Sequence, residues 1–276
     1  MLGKILFKVF RKVLSLFGYK ISLGSAPVQF PELSPEELAF ITKVYSESLT
    51  MTSFESLTTL AIACKYIQDS GINGDFVEAG VWRGGSSIVA KRMLKNRRFF
   101  LYDTYQGMTK PSDFDFRVGS GDASTTKAKW TENQKESHNE WVFAPIGEVK
   151  DNFSRFNLLD DSVIFVQGAV ETTLREEGVP SEIALLRLDT DFYESTLIEL
   201  EILWPQLTAG GILILDDYGH WDGARRAVDE YFSNQGIRPL MIPIAGGGGR
   251  ILQKLSLMSD FITSYKPVVH FRNTSK

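Results

Sequence analysis

The sequence holds a single cysteine, Cys64, in 276 residues. One cysteine excludes an intramolecular disulfide and any metal centre built from thiolates. It lies in the apolar stretch Leu60-Ala61-Ile62-Ala63-Cys64, the setting of buried filler and not of a nucleophile. Long uninterrupted apolar runs are also missing. The amino-terminal stretch is broken by charges throughout, so it is too short and too charged to span a bilayer. It lacks the small-residue cleavage site of a secretory signal, and the cytoplasm is the expected location. An excess of positive charge is absent too, since the formal net charge is −4, which argues against non-specific binding of nucleic acid. No internal repeat is present. The glycine-bearing turns include neither Gly-x-Gly-x-x-Gly nor the Gly-Lys-Ser/Thr ending of a phosphate loop, so neither a dinucleotide nor a triphosphate site is indicated.

What remains is an ordinary globular composition, 43% hydrophobic and 23% charged, enough for one enlarged α/β domain. Residues 1–23 carry Lys4, Lys8, Arg11, Lys12 and Lys20 and no acid. Their apolar residues recur at helical spacing, which predicts a basic amphipathic helix over 1–25. Its apolar face would dock on the domain or on a second subunit, or lie on an anionic membrane surface as a peripheral contact at the inner face. Docking is the preferred reading, and a homo-oligomer is expected. A helical extension follows over 26–70, in which Ser34 caps a helix opened by Pro35 and Glu36-Glu37. A second helix is predicted from about Phe54 to Gln68.

From residue 71 to about 260 the pattern alternates strand, loop and helix. The apolar runs are Asp75–Ala79, Arg98–Asp103, Val163–Gly168, Leu185–Leu188 and Ile212–Leu215. Alternation of this kind predicts a Rossmann-like α/β fold, a mostly parallel sheet with helices on both faces. The runs Pro239–Pro243 and Arg250–Lys254 predict a hairpin-like antiparallel end to the sheet, and residues 261–276 a tail. The Gly246-Gly247-Gly248-Gly249 run between them reads as a flexible loop. The stretch 104–142 has weak periodicity and starts at the carboxyl end of a strand, so it is expected to be a mobile lid or a substrate-shaping insertion.

Two strands end on carboxylates, Asp189-Thr190-Asp191 and Asp216-Asp217. If the strands are parallel neighbours, four carboxylates converge on one edge. Such a group repels itself unless a cation sits within it or some members stay protonated, which suggests a hard divalent metal such as Mg2+. A glycine turn, Glu78-Ala79-Gly80-Val81-Trp82-Arg83-Gly84-Gly85, joins another strand to its helix. Asp103 ends the next strand, where an acid commonly accepts the hydroxyls of a ribose. Turn and acid together suggest a nucleoside ligand without a pyrophosphate, and S-adenosyl-L-methionine fits. Within the turn, Trp82 packs on ligand or core, and Arg83 holds a ligand carboxylate or pairs with Glu78. A metal-activated hydroxyl would then accept the methyl group. His220 shares the base role, contacts substrate, or is an imidazole at the surface or beside the site. Trp130, Trp141 and Tyr218 could form a platform for a sugar face.

The chain resembles the macrocin O-methyltransferase family, the metal-dependent sugar O-methyltransferases of macrolide and aminocoumarin tailoring. The likeness runs from about residue 50 to 255. It rests on Met51-Thr52-Ser53, the Phe76–Gly85 string, Tyr102-Asp103-Thr104-Tyr105-Gln106-Gly107-Met108, Leu188-Asp189-Thr190-Asp191-Phe192-Tyr193-Glu194-Ser195-Thr196, and Gly210-Gly211 through Asp216-Asp217-Tyr218-Gly219. The resemblance implies a class I methyltransferase that moves a methyl group from S-adenosylmethionine to a hydroxyl of a sugar or glycosylated small molecule. A catechol-like acceptor is the alternative, and a non-catalytic membrane-associated module a more distant one. It implies that Asp189, Asp216 and Asp217 hold the metal and that Asp191 is the base. Glu78, Gly80, Val81, Trp82, Arg83, Gly84, Asp103 and Thr104 would line the cofactor site, with Gln167 and Gly168 near the adenine and Ser53 near the methionine end. The family usually has Glu-Arg soon after Met-Thr, where this chain has Glu55-Ser56.

Overall fold

The computed structural model describes residues 30–176 and 178–255. The amphipathic segment 1–23 and the tail 261–276 lie outside the described residues. Helix α1 (Pro35–Ser46) begins with a complete capping box: the Ser34 side chain accepts the Glu37 N–H, and Glu37 accepts the Ser34 N–H. Helix α2 (Phe54–Asp69) is capped by Ser53. The repeating part then follows as β1 (Asp75–Ala79), α3 (Gly85–Met93), β2 (Phe99–Asp103), α4 (Ser124–Glu132), α5 (Ile146–Arg155), β3 (Val163–Gln167), α6 (Val170–Glu176), β4 (Ile183–Leu188), α7 (Tyr193–Leu203), β5 (Leu207–Leu215), α8 (Asp222–Asn234), β6 (Ile242–Pro243) and β7 (Arg250–Gln253).

The sheet order is β3-β2-β1-β4-β5-β7-β6. Strands β1 to β5 are parallel. The last two run antiparallel to their neighbours, so the predicted fold class holds. Every residue of β4 is buried, as expected for a central parallel strand covered on both faces. Helices α1 and α2 pack against α3 and so belong to one cover of the sheet. Among the described residues no helix is long and apolar enough to cross a membrane.

Two features of this order position the site. The chain reverses direction across the sheet between β1 and β4, which opens a crevice at their carboxyl ends. The register also aligns those ends: Ala79 faces Leu188, and Leu188 faces Leu215. The ladder continues one bond further, with Asp189 N–H donating to the Ala79 carbonyl at 2.8 Å and Asp216 N–H to the Leu188 carbonyl at 3.0 Å. Asp189 and Asp216 are therefore set side by side by backbone pairing.

The insertion after β2 is neither structureless nor free. It contains α4, and its buried Asp115 reaches back to the sheet edge. One Asp115 oxygen accepts the Tyr193 N–H at 2.7 Å, and the other accepts Ser112 N–H and Oγ–H. The Tyr193 N–H is one of the unpaired donors at the start of α7, so Asp115 caps that helix from a distance. A backbone bridge between Arg117 and Trp221 ties the same segment to the loop after β5.

Candidate active site

A cavity of about 540 Å³ opens at the carboxyl edge of the sheet. Its wall includes Ser53, Gly80, Trp82, Asp103, Thr104 and Gly168 together with Asp189, Asp191, Asp216, Asp217 and His220. The glycine turn and the acidic clusters thus face a single space.

Asp103 organises the turn. Its Oδ2 accepts the N–H groups of Val81 and Trp82 at 2.7 and 2.9 Å, and its Oδ1 accepts the Tyr105 N–H at 2.7 Å. Burial still pushes its carboxyl above the ordinary value, against the pull of those donors. Gly80 has φ +85°, and a Cβ there would overlap the Asp189 carbonyl, so only glycine allows β1 and β4 to end this close together. Asp103→Asn would turn an amide N–H toward at least one backbone donor. We expect a loss of about 1–2 kcal/mol of stability and a roughly tenfold weaker affinity for S-adenosylhomocysteine. Calorimetry and thermal melts check both; unchanged values would show that the turn holds itself.

Other residues of the expected cofactor site are placed differently. Glu78 is wholly buried beneath the cavity, where it accepts from Ser86 Oγ, Ser87 Oγ and Arg187. Arg83 pairs with Glu148 at 2.9 Å and lies over the Trp82 ring, so it binds neither Glu78 nor the space of the cavity. Val81 contributes its N–H to Asp103 while its side chain is buried. Gly84, with φ +85°, sits against Phe153 and Val149 at the start of α3. Gln167 is exposed at the end of β3 and is not part of the wall, whereas Gly168 is.

Beneath the acidic clusters lies Arg187, a residue with no role assigned in the sequence reading. It stands opposite Glu78 in the β1–β4 register. Its guanidinium binds Glu78 Oε1, Asp189 Oδ2 and Asp216 Oδ1, each at 2.7 Å. Arg187 is 3% exposed and Glu78 0%. One guanidinium therefore serves three of the five carboxyl groups gathered there, and Asp191 and Asp217 remain. Thr52 adds a hydrogen bond from its hydroxyl to Asp216 Oδ1 at 3.1 Å. Burial and the neighbouring carboxylates drive the Asp189 and Asp191 carboxyls well above their usual range, and Asp217 to about 6. Asp217 Oδ2 is buried without a hydrogen-bond partner.

These features fit a cation. Asp189, Asp216 and Asp217 can each present an oxygen within 4.8 Å of the others, an oxygen-only set suited to a hard divalent ion. Asp191 is not one of that triad, although its carboxyl lies against that of Asp217, and it has φ +68°, a left-handed conformation uncommon outside glycine. Such conformations persist where the surroundings enforce them, and they cluster at functional sites.

His220 reaches the cavity, but its Nε2 accepts the Gly248 N–H at 3.0 Å, while Nδ1 is 3.8 Å from Asp217 Oδ1. Its ring therefore holds the glycine run in place. That run is not a loose loop: Gly246–Gly249 forms part of the wall, Gly219 N–H donates to the Gly248 carbonyl, and a Cβ on Gly248 would strike Gly219 and His220. The expected platform is also rearranged. Trp141 packs with Phe192, Trp221 and Ala224, with Trp130 against them, whereas Tyr218 joins the main core and bonds Asp229. Burial raises the Cys64 thiol, which leaves it inert.

Residues 37–248 match the Macrocin-O-methyltransferase (TylF) family model. The chain is 37% identical over 205 residues to the 8-demethyl-8-(2,3-dimethoxy-α-L-rhamnosyl)-tetracenomycin-C 4′-O-methyltransferase of Streptomyces olivaceus, covering 72% of this chain and 73% of that protein. It is 34% identical over 203 residues to the mycinamicin III 3″-O-methyltransferase of Micromonospora griseorubida, covering 71% and 74%. Among solved structures it is similar to the O-methyltransferase NovP, with a TM-score of 0.64 and 29% identity over 75% of this chain and 82% of that one. The chain belongs to the macrocin O-methyltransferase family and is an S-adenosylmethionine-dependent O-methyltransferase.

Proposed function

We propose that the enzyme methylates a hydroxyl of a sugar carried by a small molecule or glycan, with a divalent cation held by Asp189, Asp216 and Asp217. The observation that carries this reading is the single cavity shared by the Asp103-ordered turn and the aspartates. The two curated relatives named above are a 4′-O-methyltransferase of a rhamnosyl-tetracenomycin and a 3″-O-methyltransferase of mycinamicin III, which supports a sugar acceptor.

The turn's side of the cavity holds the donor, with Asp103 and Gly80 at the nucleoside and Ser53 toward the methionine. A bound cation would polarise the acceptor hydroxyl and lower its pKa. Asp191, outside the triad, takes the hydroxyl proton. The oxygen lone pair forms the new O–CH₃ bond as the S–CH₃ bond breaks, and its electron pair returns to sulfur. The sulfonium is already activated, so the chain's task is alignment. Arg187 fixes two of the triad's carboxylates from below without occupying the cavity.

The test uses labelled S-adenosylmethionine and a panel of glycosides, catechols and nucleotide sugars, each with EDTA and with Mg2+. The expected result is labelled sugar product that falls at least 100-fold on chelation and returns with Mg2+. Undiminished turnover in EDTA would remove the cation from the mechanism. A catechol product without any sugar product would replace the acceptor.

A further inference from the structure

Two exposed basic side chains in the cavity wall have no carboxylate within ion-pair distance among the described residues. Arg117 and Lys129 both come from the insertion, and both line the cavity. The Arg117 guanidinium lies 4.1 Å from the Trp221 ring centroid, and the Lys129 ammonium lies 4.3 Å from that of Trp141. The two indoles are neighbours, 6.0 Å apart. Several neighbouring cations are paired instead. Lys127 pairs with Asp113, Lys135 with Glu140, Arg225 with Asp222 and Arg226 with Glu230. Arg117 and Lys129 form no ion pair with any described residue.

Arg117 is also held in place. Its backbone pairs with Trp221, and the next residue, Val118, donates its N–H to the His220 carbonyl at 2.9 Å. Arg117 lines the same cavity as Asp191, His220 and Trp221, which sets it near the reacting end. A neutral glycoside offers two such cations no anionic group of its own. Both indoles are buried and both cations exposed. Stacking there is worth about 0.5–2 kcal/mol and leaves the charge free, whereas a charge-assisted bond to a phosphate oxygen is roughly twice as strong as a neutral one.

We propose that the acceptor sugar enters still joined to a diphosphate, which Arg117 and Lys129 bind while the sugar lies between the Trp141–Trp221 floor and the aspartates. This rests on the sugar O-methyltransferase reading. A sugar diphosphate can come from a nucleoside diphosphate sugar or from a lipid-linked one, and the shared chemistry is the diphosphate ester. The product would then be consumed by a glycosyl transfer, the reaction class that uses diphosphate as a leaving group.

The test is calorimetry on the full chain with saturating S-adenosylhomocysteine and Mg2+. The probes are uridine diphosphate, geranyl diphosphate, glucuronate and methyl α-rhamnoside. We expect at least one diphosphate to bind tenfold or more tightly than glucuronate or the rhamnoside. The Arg117→Ala/Lys129→Ala double variant should weaken that binding at least tenfold with S-adenosylhomocysteine affinity unchanged, and Arg117→Lys/Lys129→Arg should restore most of it. Chelation of the diphosphate by a metal at the aspartates would survive both substitutions, so the loss reports the two cations. Which diphosphate binds assigns the nucleoside or lipid source. The proposal is overturned if neither diphosphate outbinds the neutral and carboxylate probes, or if the double variant binds diphosphate as the parent does. Failure of the folded protein to bind S-adenosylhomocysteine would instead count against the methyltransferase reading itself.

Discussion

Replacing Arg187 by methionine is expected to cost the folded protein about 3–5 kcal/mol, because it strands the charge of Glu78 with no cation beside it. At this chain length each kcal/mol corresponds to about 2–4 °C in melting temperature, so a fall on the order of 10 °C should follow. Glu78 is the deepest of the three partners, and it alone lies beyond reach of the cavity. The double variant Arg187→Met/Glu78→Gln should therefore recover more than half of the loss, since a neutral amide can keep the bonds to Ser86 and Ser87. Asp189 and Asp216 would still lack their shared guanidinium, so activity should stay low even where stability returns. Urea melts of the single and double variants, with turnover measured on each, separate the two effects. A single variant within 1 kcal/mol of the parent would mean that Arg187 does not hold the site together.

Arg187 also shows where sequence reading stopped. Its neighbours Leu185, Leu186 and Leu188 made a clear strand, and one charge inside that run carried no local meaning. Its meaning is non-local: it comes from the β1–β4 register that sets Arg187 opposite Glu78. A charge in a strand buried on both faces must be paired, and that requirement was the available signal. The strands themselves were legible because short apolar runs bounded by acids and glycines depend only on local pattern. The helix cap at Ser34 and the convergence of the aspartates followed from the same kind of evidence, whereas the cap at Ser53 emerged only in the fold.

The glycine run and the insertion were less legible for one shared reason. Gly246–Gly249 has the composition of a flexible loop, yet Gly219 and His220, nearly thirty residues away, hold it through the Gly248 backbone. Asp115 lies in a polar, weakly periodic stretch, yet its carboxylate serves Tyr193 across 78 positions of sequence. In both cases backbone groups are satisfied by distant partners, a demand that buried polar atoms make but that no periodicity records. These contacts place Asp115, Arg117, Trp221 and His220 in one connected rim, so the insertion shapes the cavity wall through fixed contacts.

Asp217→Asn and Asp191→Asn should both damage turnover severely, but in different ways. Asp217 has a buried oxygen with no partner and sits in the triad. Its amide variant removes one anionic ligand from an oxygen-only set, so Mg2+ affinity should fall by at least the roughly tenfold to 100-fold that loss of an outer-shell partner already costs, and kcat should fall with it. High Mg2+ should then restore part of the rate. Asp191 lies outside the triad, and as a general base it should be worth about 10²–10⁴ in rate. Asp191→Asn should leave Mg2+ affinity within about threefold of the parent, because a removed base changes proton transfer and not coordination. No concentration of Mg2+ should rescue it. Burial and the neighbouring carboxylates raise the Asp191 carboxyl well above its ordinary value, and a base works only in its ionised form. The parent's rate should therefore rise with pH as Asp191 loses its proton, and Asp191→Asn should flatten that acid limb. Calorimetric Mg2+ titration beside a pH profile of kcat decides the matter. Equal losses of metal affinity and rate in Asp191→Asn would make Asp191 a fourth ligand, and the proton would have to leave by another route.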